Sequence, residues 1–216
     1  MRRIGHMNEA HAGPTVFVID DDPRVRRWII RLLDTVGIAH AEFEKAEEFL
    51  EHFDPDAPGC ILLDVRMPGM GGRVLHEKLV EMGVEIPILF MTGFGEVSIA
   101  VDVLQKGAVE FLEKPIKGQD LLDRVQKSLD LDAKQRTRKR SREEKVRVLE
   151  RLTPRERQVV DLILEGHSSK RIAYKLSVSS QAIDARRANA MRKLGVTSMA
   201  ELVTFVLSQR GDSESS

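Results

Sequence analysis

Acidic, hydroxyl and ammonium side chains follow short apolar segments at several points in the chain. The acidic run Asp20-Asp21-Asp22 follows an apolar segment, and so do three single residues further along: Asp64, Thr92 and Lys114. Short apolar runs separated by helical patterns are typical of buried parallel strands. Because ligands bind at the carboxyl edge of an open α/β sheet, these positions predict one site at that edge.

The residue types at this edge suit the chemistry of a phosphoryl group. Adjacent carboxylates repel each other unless a cation neutralises them, and Mg²⁺ binds to one or two carboxylates while keeping several waters. Asp64 is then either a further ligand or a nucleophile, since a carboxylate that attacks phosphorus forms an acyl phosphate. Lys114 supplies positive charge for the transferring group, and the Thr92 hydroxyl can donate to a phosphoryl oxygen. Gly93, which has no side chain, leaves room for the phosphoryl group beside it.

Charge is divided unevenly along the 216 residues, although Lys+Arg and Asp+Glu both total 34. Residues 1–133 carry 15 basic and 24 acidic side chains, whereas residues 134–216 carry 19 basic and 10 acidic. This asymmetry predicts an acidic module joined to one that binds a polyanion.

Cys60 is the only cysteine, which excludes an intramolecular disulfide, and we expect it to be a buried structural thiol. No apolar run reaches the roughly 18 residues of a membrane span, so we expect a cytoplasmic protein without membrane partners.

The hydrophobic pattern predicts an α/β domain over residues 14–130, after a flexible tail at 1–13. It has a doubly wound (βα)₅ arrangement with a parallel sheet. Strands are expected at about 15–20, 39–43, 60–63, 86–91 and 109–113, and helices at 23–36, 45–53, 73–82, 96–106 and from 119 onward. The charged residues 131–151 form a linker, which either extends the last helix or is disordered.

The residues from 152 to 210 predict an all-α domain of four short helices with a central helix-turn-helix, followed by a flexible tail at 211–216. Thr153-Pro-Arg-Glu156 has the pattern of a capping box, and the helix that it opens is expected to end at Glu165-Gly166. A short helix capped by Ser168 or Ser169 reaches 176. Ser179 caps a longer helix that ends before Gly195, and Ser198 caps the last helix, to about 207.

The first domain resembles the receiver domain of bacterial two-component response regulators. The resemblance lies in Val18-Ile-Asp-Asp-Asp22, Leu62-Leu-Asp-Val-Arg-Met-Pro-Gly-Met70, Met91-Thr-Gly93 and Phe111-Leu-Glu-Lys-Pro115. It implies that Asp64 is the phosphoacceptor and that Asp20 and Asp21 are the acidic pair. It further implies that Mg²⁺ is bound by Asp21, Asp64 and the backbone carbonyl of Arg66. Thr92, Phe111 and Lys114 would be the switch residues, and the Lys114–Pro115 bond would be cis.

The second domain carries cations on the two helices of its helix-turn-helix. Phosphate contacts by such cations give affinity for DNA, and base contacts give specificity. The segments Leu152–Val159, Lys170–Ala173 and Arg192–Val196 resemble the LuxR-type helix-turn-helix, and the whole chain resembles the NarL/FixJ class, in particular its FixJ branch. Ala182 and Arg186 depart from the usual residues of that family, which leaves the operator sequence open. The candidate DNA contacts are Lys170, Arg171, Lys175, Asp184, Arg186, Arg187, Arg192 and Lys193.

Three functions fit these patterns, and the leading one is a phosphorylation-controlled transcription factor that modifies only its own aspartate. The resemblance implies a sensor histidine kinase as donor, double-stranded DNA as target and RNA polymerase as a candidate partner. It also implies a homodimer formed on phosphorylation through 96–106, 109–113 and the helix from 119.

A phosphatase of the haloacid-dehalogenase type also uses an aspartyl nucleophile and Mg²⁺, but Arg66 occupies the position of its second aspartate. A receiver that works without phosphorylation is the third function. Because Phe94 cannot hydrogen-bond a hydrolytic water and Arg66 can shield the phosphoryl group, we expect a long-lived acyl phosphate.

Overall fold

Residues 13–93 and 110–210 are described by the computed structural model of this chain. The chain divides into two compact units, Met1–Arg136 and Thr137–Ser216. Phe94 and the predicted helix at 96–106 lie outside the described residues, so expectations about them stay predictions.

The first unit is built on a parallel sheet of five strands in the order β2-β1-β3-β4-β5. A helix connects each of the first three strands to the strand that follows it in the chain, which is the arrangement that parallel pairing requires. The strand order reverses between β1 and β3, and this switch point is where doubly wound sheets bind ligands. The strands are β1 Thr15–Ile19, β2 His40–Phe43, β3 Gly59–Asp64, β4 Ile88–Thr92 and β5 Glu110–Glu113.

Helices cover both faces of this sheet, and alternate strand residues pack against each cover. The helices of the first unit are α1 Pro23–Thr35, α2 Ala46–His52, α3 Gly72–Glu81 and the start of α4, Gly118–Glu150. On one face Phe17, Leu63 and Phe90 join α2 and α3, and on the other Val18 and Leu62 join α1 and α4. The near-continuous burial of β1, β3 and β4 explains why their sequences are apolar runs without alternation.

Cys60 lies in this core and is fully buried. Burial raises the pKa of its thiol to about 12, so the group is an inert thiol at neutral pH. The prediction of a structural cysteine is thereby confirmed.

Helix α4 continues from the first unit through the residues predicted to form the linker, so the helical alternative for that segment is confirmed. One charged residue in this segment is buried. Asp132 is 3% exposed, pairs with Arg136 at 2.8 Å and accepts a hydrogen bond from the Gly59 backbone N–H at 2.9 Å. Arg136 also donates to the carbonyls of Asp56 and Ala57. These contacts fasten the helix to the turn that precedes β3.

The second unit is all helical and has short helices with side-chain caps. After the end of α4 come α5 Pro154–Leu164, α6 Ser169–Lys175, α7 Ser180–Leu194 and α8 Met199–Arg210. The Thr153–Glu156 capping box is present, and the Ser168 and Ser179 side chains accept from backbone N–H groups of α6 and α7. Gly195 ends α7 in the left-handed conformation, at φ 68°. Caps of this kind matter here because helices of 7 to 15 residues are marginal alone.

Within residues 13–93 and 110–210 the predicted element types are confirmed, and their ends differ by at most three residues. Strands β3 and β4 include Asp64 and Thr92 as their last residues, whereas both were expected just beyond the strand. α8 continues to Arg210 instead of ending near 207. Hydrophobic periodicity does not fix element ends, because the terminal hydrogen bonds depend on neighbouring elements.

Among the described residues, two aromatic side chains are prominently exposed, one in each unit. Trp28 in α1 is 39% exposed and Tyr174 in α6 is 87% exposed. They are the single tryptophan and the single tyrosine of the chain. In the ranges that the structure covers, no helix is long and apolar enough to cross a bilayer.

Candidate functional site

The carboxyl edge of the sheet brings three of the predicted residues into direct contact. Lys114, which follows β5, donates from Nζ to Asp20 Oδ2 at 2.7 Å and to Asp64 Oδ1 at 2.5 Å. Asp20 follows β1 and Asp64 ends β3, so the contacts join residues 94 and 50 positions apart in the chain. The cluster lies at the switch point of the sheet, where the sequence predicts a site.

The two carboxylates differ from ordinary surface acids because they are buried. Asp20 is fully buried and Asp64 is 7% exposed. Burial raises the pKa of Asp64, and the hydrogen bond from Lys114 acts in the opposite direction. Burial alone would lower the pKa of Lys114, but its hydrogen bonds to Asp20 and Asp64 outweigh that effect and raise the pKa. Lys114 is therefore an ammonium at neutral pH, and it is the counter-ion of this edge.

The three consecutive aspartates do different things. Asp20 accepts from the backbone N–H of Asp22 at 2.9 Å, and Asp21 is exposed. Asp22 is the N-cap of α1, and its side chain accepts from the Arg24 backbone N–H at 2.8 Å. The side-chain hydrogen bond from Arg24 is the main cause that lowers the pKa of Asp22 to about 2. The side chain of Asp22 thus serves as a helix cap, whereas Asp20 contacts Lys114 and Asp21 is exposed.

The other predicted receiver residues lie on β4 and β5 or just after β3, β4 and β5. The Arg66 backbone N–H donates to Asp64 Oδ2 at 2.8 Å, which orients the carboxylate. Thr92 is 4% exposed and contacts the Gly93 carbonyl at 3.4 Å, while Gly93 itself is exposed with open space beside its Cα. Phe111 is partly buried against the core on the α3 side of the sheet. The Lys114–Pro115 bond is cis, as the family resemblance implies.

Within the described ranges, no three acidic, His or Cys side chains are grouped as a complete metal cage. Mg²⁺ does not need such a cage, because it is usually held by one or two carboxylates and completes its shell with water. Asp64 and Asp20 are buried carboxylates that already bind a cation, the Lys114 ammonium, and Asp21 is exposed beside them. The donor set fits a hard divalent ion.

Close packing holds the backbone that carries Asp64. Gly72, the first residue of α3, donates its backbone N–H to the Val65 carbonyl at 3.1 Å. A Cβ at position 72 would lie 2.1 Å from the Asp64 carbonyl oxygen and 3.0 Å from Leu63 Cγ. Only glycine lets the helix approach the end of β3 so closely.

Arg26 contributes to the site but is not among the predicted site residues. Its side chain is 11% exposed, and Nη1 donates to the Asp20 carbonyl at 2.6 Å. It also pairs with Glu42 at 3.5 Å and Glu44 at 3.8 Å. Position 26 carries a cation on the largely apolar side of α1, and that is the signal that could have identified it. Its contacts tie the acidic turn to the end of β2.

In the second unit, the predicted DNA-contacting cations fall into two groups. Lys170 and Arg171 are exposed on α6, and Arg186 is half-buried on α7. In the part of the chain that the structure describes, none of these three side chains forms an ion pair. Of the predicted DNA contacts, these three are the cations most available to an external anion.

The remaining predicted contacts have partners inside the unit. Asp184 pairs with Arg187 at 3.2 Å, and Ser169 bonds to both. Three more pairs are Lys175 with His167 at 2.7 Å, Arg192 with Asn189 at 2.6 Å, and Lys193 with Glu156 at 2.7 Å.

Glu156, the partner of Lys193, is itself a capping residue. It is 6% exposed and also accepts from the Thr153 backbone N–H at 2.8 Å. Lys193 therefore links the end of α7 to the start of α5. This contact gives Lys193 a structural role that its charge and position in α7 do not indicate.

The first unit is a doubly wound domain with carboxylates and a lysine at one edge of its sheet, and the second unit contains a helix-turn-helix. This combination is typical of signal-controlled regulators. Comparison with known proteins agrees. Residues 16–126 match the response regulator receiver domain, and residues 150–206 match the bacterial regulatory proteins of the luxR family. The chain belongs to the two-component response regulators with a LuxR-type DNA-binding domain.

The relatives match nearly the whole chain. The transcriptional regulatory protein TdiR of Thauera aromatica is 36% identical over 94% of this chain and 88% of its own length. FixJ of Azorhizobium caulinodans is 38% identical over 89% and 91%. The solved structure of the response regulator StyR is 40% identical and covers 91% of this chain and all of its own, with a TM-score of 0.84. This confirms the predicted family and fold class, and with them a regulator of transcription as opposed to a catalyst.

Proposed function

We propose that Asp64 accepts a phosphoryl group from a sensor histidine kinase and that this modification controls binding of the second unit to DNA. The observation that carries the proposal is the contact of one ammonium, Lys114, with the two buried carboxylates Asp20 and Asp64. A buried nucleophile with an adjacent cation at the ligand-binding edge of the sheet is suited to a reaction that brings in a dianion.

In the transfer, an Asp64 carboxylate oxygen attacks phosphorus, an O–P bond forms, and the P–N bond of the phosphohistidine breaks. The electron pair of that bond stays on the imidazole. Asp64 must be ionised for this step, and Lys114 favours the ionised form. Mg²⁺, held by Asp20, Asp21, Asp64 and the Arg66 carbonyl, would neutralise charge on the transferring phosphoryl group.

After transfer, the acyl phosphate adds close to two negative charges and three acceptor oxygens at Asp64. Lys114 exchanges its carboxylate contact for a phosphoryl oxygen, and Thr92 donates its hydroxyl to another, with Gly93 leaving space beside it. Phe111 then turns into the space that Thr92 leaves. Phe111 belongs to β5, so this movement changes the surface formed by β5 and the start of α4.

That surface is the proposed dimer interface of the phosphorylated form. It contains a cleft of about 370 Å³ whose lining includes Phe111, Ile116 and Asp120, and an ion pair between Arg124 and Glu110 lies at its side. A two-fold dimer would present two copies of α7 to two half-sites of a DNA operator. The exposed Lys170 and Arg171 would contact phosphates, Arg186 would enter the major groove, and RNA polymerase would be a downstream partner.

Phosphorylation is tested with a radiolabelled small-molecule phosphodonor in Mg²⁺, with wild type and Asp64→Asn compared. We expect label on wild type and none on the variant, and Asp20→Asn should label more slowly. Continuous turnover of an external phosphate ester would instead support a phosphatase. Absence of label on Asp64 would support a receiver that works without phosphorylation.

The output is tested by sedimentation and by DNA-binding titration of the phosphorylated and unphosphorylated chains. We expect a larger sedimenting species and tighter DNA binding after phosphorylation. Identical curves for the two forms would contradict the proposed control. The lifetime of the label also tests the expected slow hydrolysis, since decay within seconds would contradict it.

A further inference from the structure

The part of α4 that belongs to the second unit begins with a dense group of cations. Arg138, Lys139, Arg140 and Arg142 fall within five residues and are all exposed. We call residues 138–142 the basic segment. It contains no acidic residue, and Thr137 before it is uncharged.

The basic segment places like charges next to one another on the helix surface. Residues four apart are neighbours on a helix surface, and like charges at that spacing repel each other. Arg138 lies four residues after Lys134 and four before Arg142, and Arg140 lies four after Arg136. These repulsions would be relieved by an external anion.

No internal partner offsets this repulsion for the central cations. Glu143 and Glu144 lie at the right spacing for Lys139 and Arg140, yet the described residues include no ion pair or hydrogen bond to Arg138, Lys139 or Arg140. Arg136, which precedes the basic segment in the same helix, differs in this respect because it pairs with Asp132 at 2.8 Å.

The basic segment is attached to the core that also holds the second helix of the helix-turn-helix. Val148 and Leu149, in the last turn of α4, pack against the cluster containing Ala190 and Leu194 of α7. Arg140 precedes Leu149 by nine residues, which is about 14 Å along a helix. This equals the length of about four base pairs of DNA, at about 3.4 Å each.

We propose that the basic segment binds backbone phosphates of double-stranded DNA beside the site contacted by α7. The proposal rests on the proposed DNA-binding function and adds a second, sequence-independent contact surface to it. The guanidinium and ammonium groups of Arg138, Lys139 and Arg140 suit phosphate oxygens, and neutralising phosphates releases counter-ions from the duplex. The segment would raise affinity for any flanking sequence and would carry no base specificity.

The test uses the full-length chain and a fluorescein-labelled duplex of arbitrary sequence, titrated over a series of KCl concentrations. The variant is the triple substitution Arg138→Gln, Lys139→Gln and Arg140→Gln. Its matched control removes three exposed cations from the first unit, as Arg31→Gln, Lys78→Gln and Lys127→Gln. Both variants lose the same net charge, so a general electrostatic effect would change them equally.

Each lost phosphate contact lowers the slope of log K against log[salt] by about 0.9, so the triple variant should lose about 2 to 3 units of slope. The control variant should keep the wild-type slope. A wild-type slope in the triple variant, with salt-dependent binding of the wild type, would overturn this inference and leave the proposed DNA binding intact. If the wild type binds no DNA at all, in either phosphorylation state, the proposed DNA binding itself fails.

The acidic residues of a second copy are the competing partner for the basic segment. Sedimentation of the triple variant at low salt distinguishes this case. Reduced self-association together with an unchanged DNA slope would assign the segment to protein contacts and refute the proposal. Circular dichroism should show undiminished helix content in the triple variant, because the substitutions remove repulsion.

Discussion

Substitution of Gly72 by alanine should slow phosphorylation of Asp64 without any change in a reacting group. The added Cβ would lie 2.1 Å from the Asp64 carbonyl oxygen and 3.0 Å from Leu63 Cγ. Ordinary non-bonded carbon contacts are about 3.5 Å or longer, so the carbonyl and the new methyl must separate by more than 1 Å. Asp64 is the end of a fully buried strand, and α3 packs on the same core. The displacement must therefore pass into the backbone that carries the nucleophile.

Two magnitudes follow from this displacement. Overpacking of a buried site costs about 1–3 kcal/mol of folding free energy, which the first unit should survive. A shift of about 1 Å in a reacting group costs about 10²-fold in rate. We therefore expect a folded protein whose Asp64 is labelled roughly a hundred times more slowly.

The assay is the initial rate of labelling by a small-molecule phosphodonor in saturating Mg²⁺. Gly71→Ala is the matched control, because a Cβ at Gly71 would be 3.4 Å from the nearest atom, the Val65 carbonyl oxygen. It should label at close to the wild-type rate. If Gly72→Ala matched Gly71→Ala in both labelling rate and melting temperature, the claim that α3 packing positions Asp64 would be refuted.

Three further predictions concern charged contacts. Asp132→Ala should lower the free energy of unfolding of the first unit by about 3 kcal/mol in urea titrations, because it strands the partly buried Arg136; exposed Asp130→Ala should cost far less. The hydrogen bond from Lys193 is the main cause that lowers the pKa of Glu156. The stability that this contact gives to the second unit should therefore be present at neutral pH and lost as pH falls through the folded-state pKa of Glu156. The melting temperature of Glu156→Gln should depend less on pH over that acid range. Lys193→Gln should lower the melting temperature of the second unit and leave the salt dependence of DNA binding unchanged, whereas a slope reduced by about 0.9 would make Lys193 a phosphate ligand.

The sequence predicts those features that depend on local pattern and on topology. Apolar runs identify the buried strands, and the parallel arrangement then requires Asp20, Asp64 and Lys114 to share one edge. The structure places all three there, within hydrogen-bond distance. Cap residues such as Thr153 and Ser179 are also recognised, because the cap bonds reach only three residues along the chain.

Features that depend on pairing between distant residues are not predictable in this way. The charge of Asp132 suggests a solvated linker, yet the residue is buried. Its hydrogen-bond donor, the Gly59 backbone N–H, lies 73 residues earlier in the chain. Arg26 and Lys193 likewise have partners that only the folded chain identifies, the Asp20 carbonyl and Glu156. The charge of Lys193 predicts a DNA contact, and the sequence does not show that Glu156 lies near it.

The placement of Trp28 and Tyr174 makes each unit optically distinct. Each is the only residue of its type, and they lie in different units. Tryptophan fluorescence, selectively excited, therefore reports on the first unit alone, and the ultraviolet signal of tyrosine comes only from the second. Because Tyr174 shares α6 with Lys170 and Arg171, its emission also serves as an internal sensor of events on that helix. The chain thus carries one intrinsic probe per unit and needs no attached dye to follow their unfolding separately.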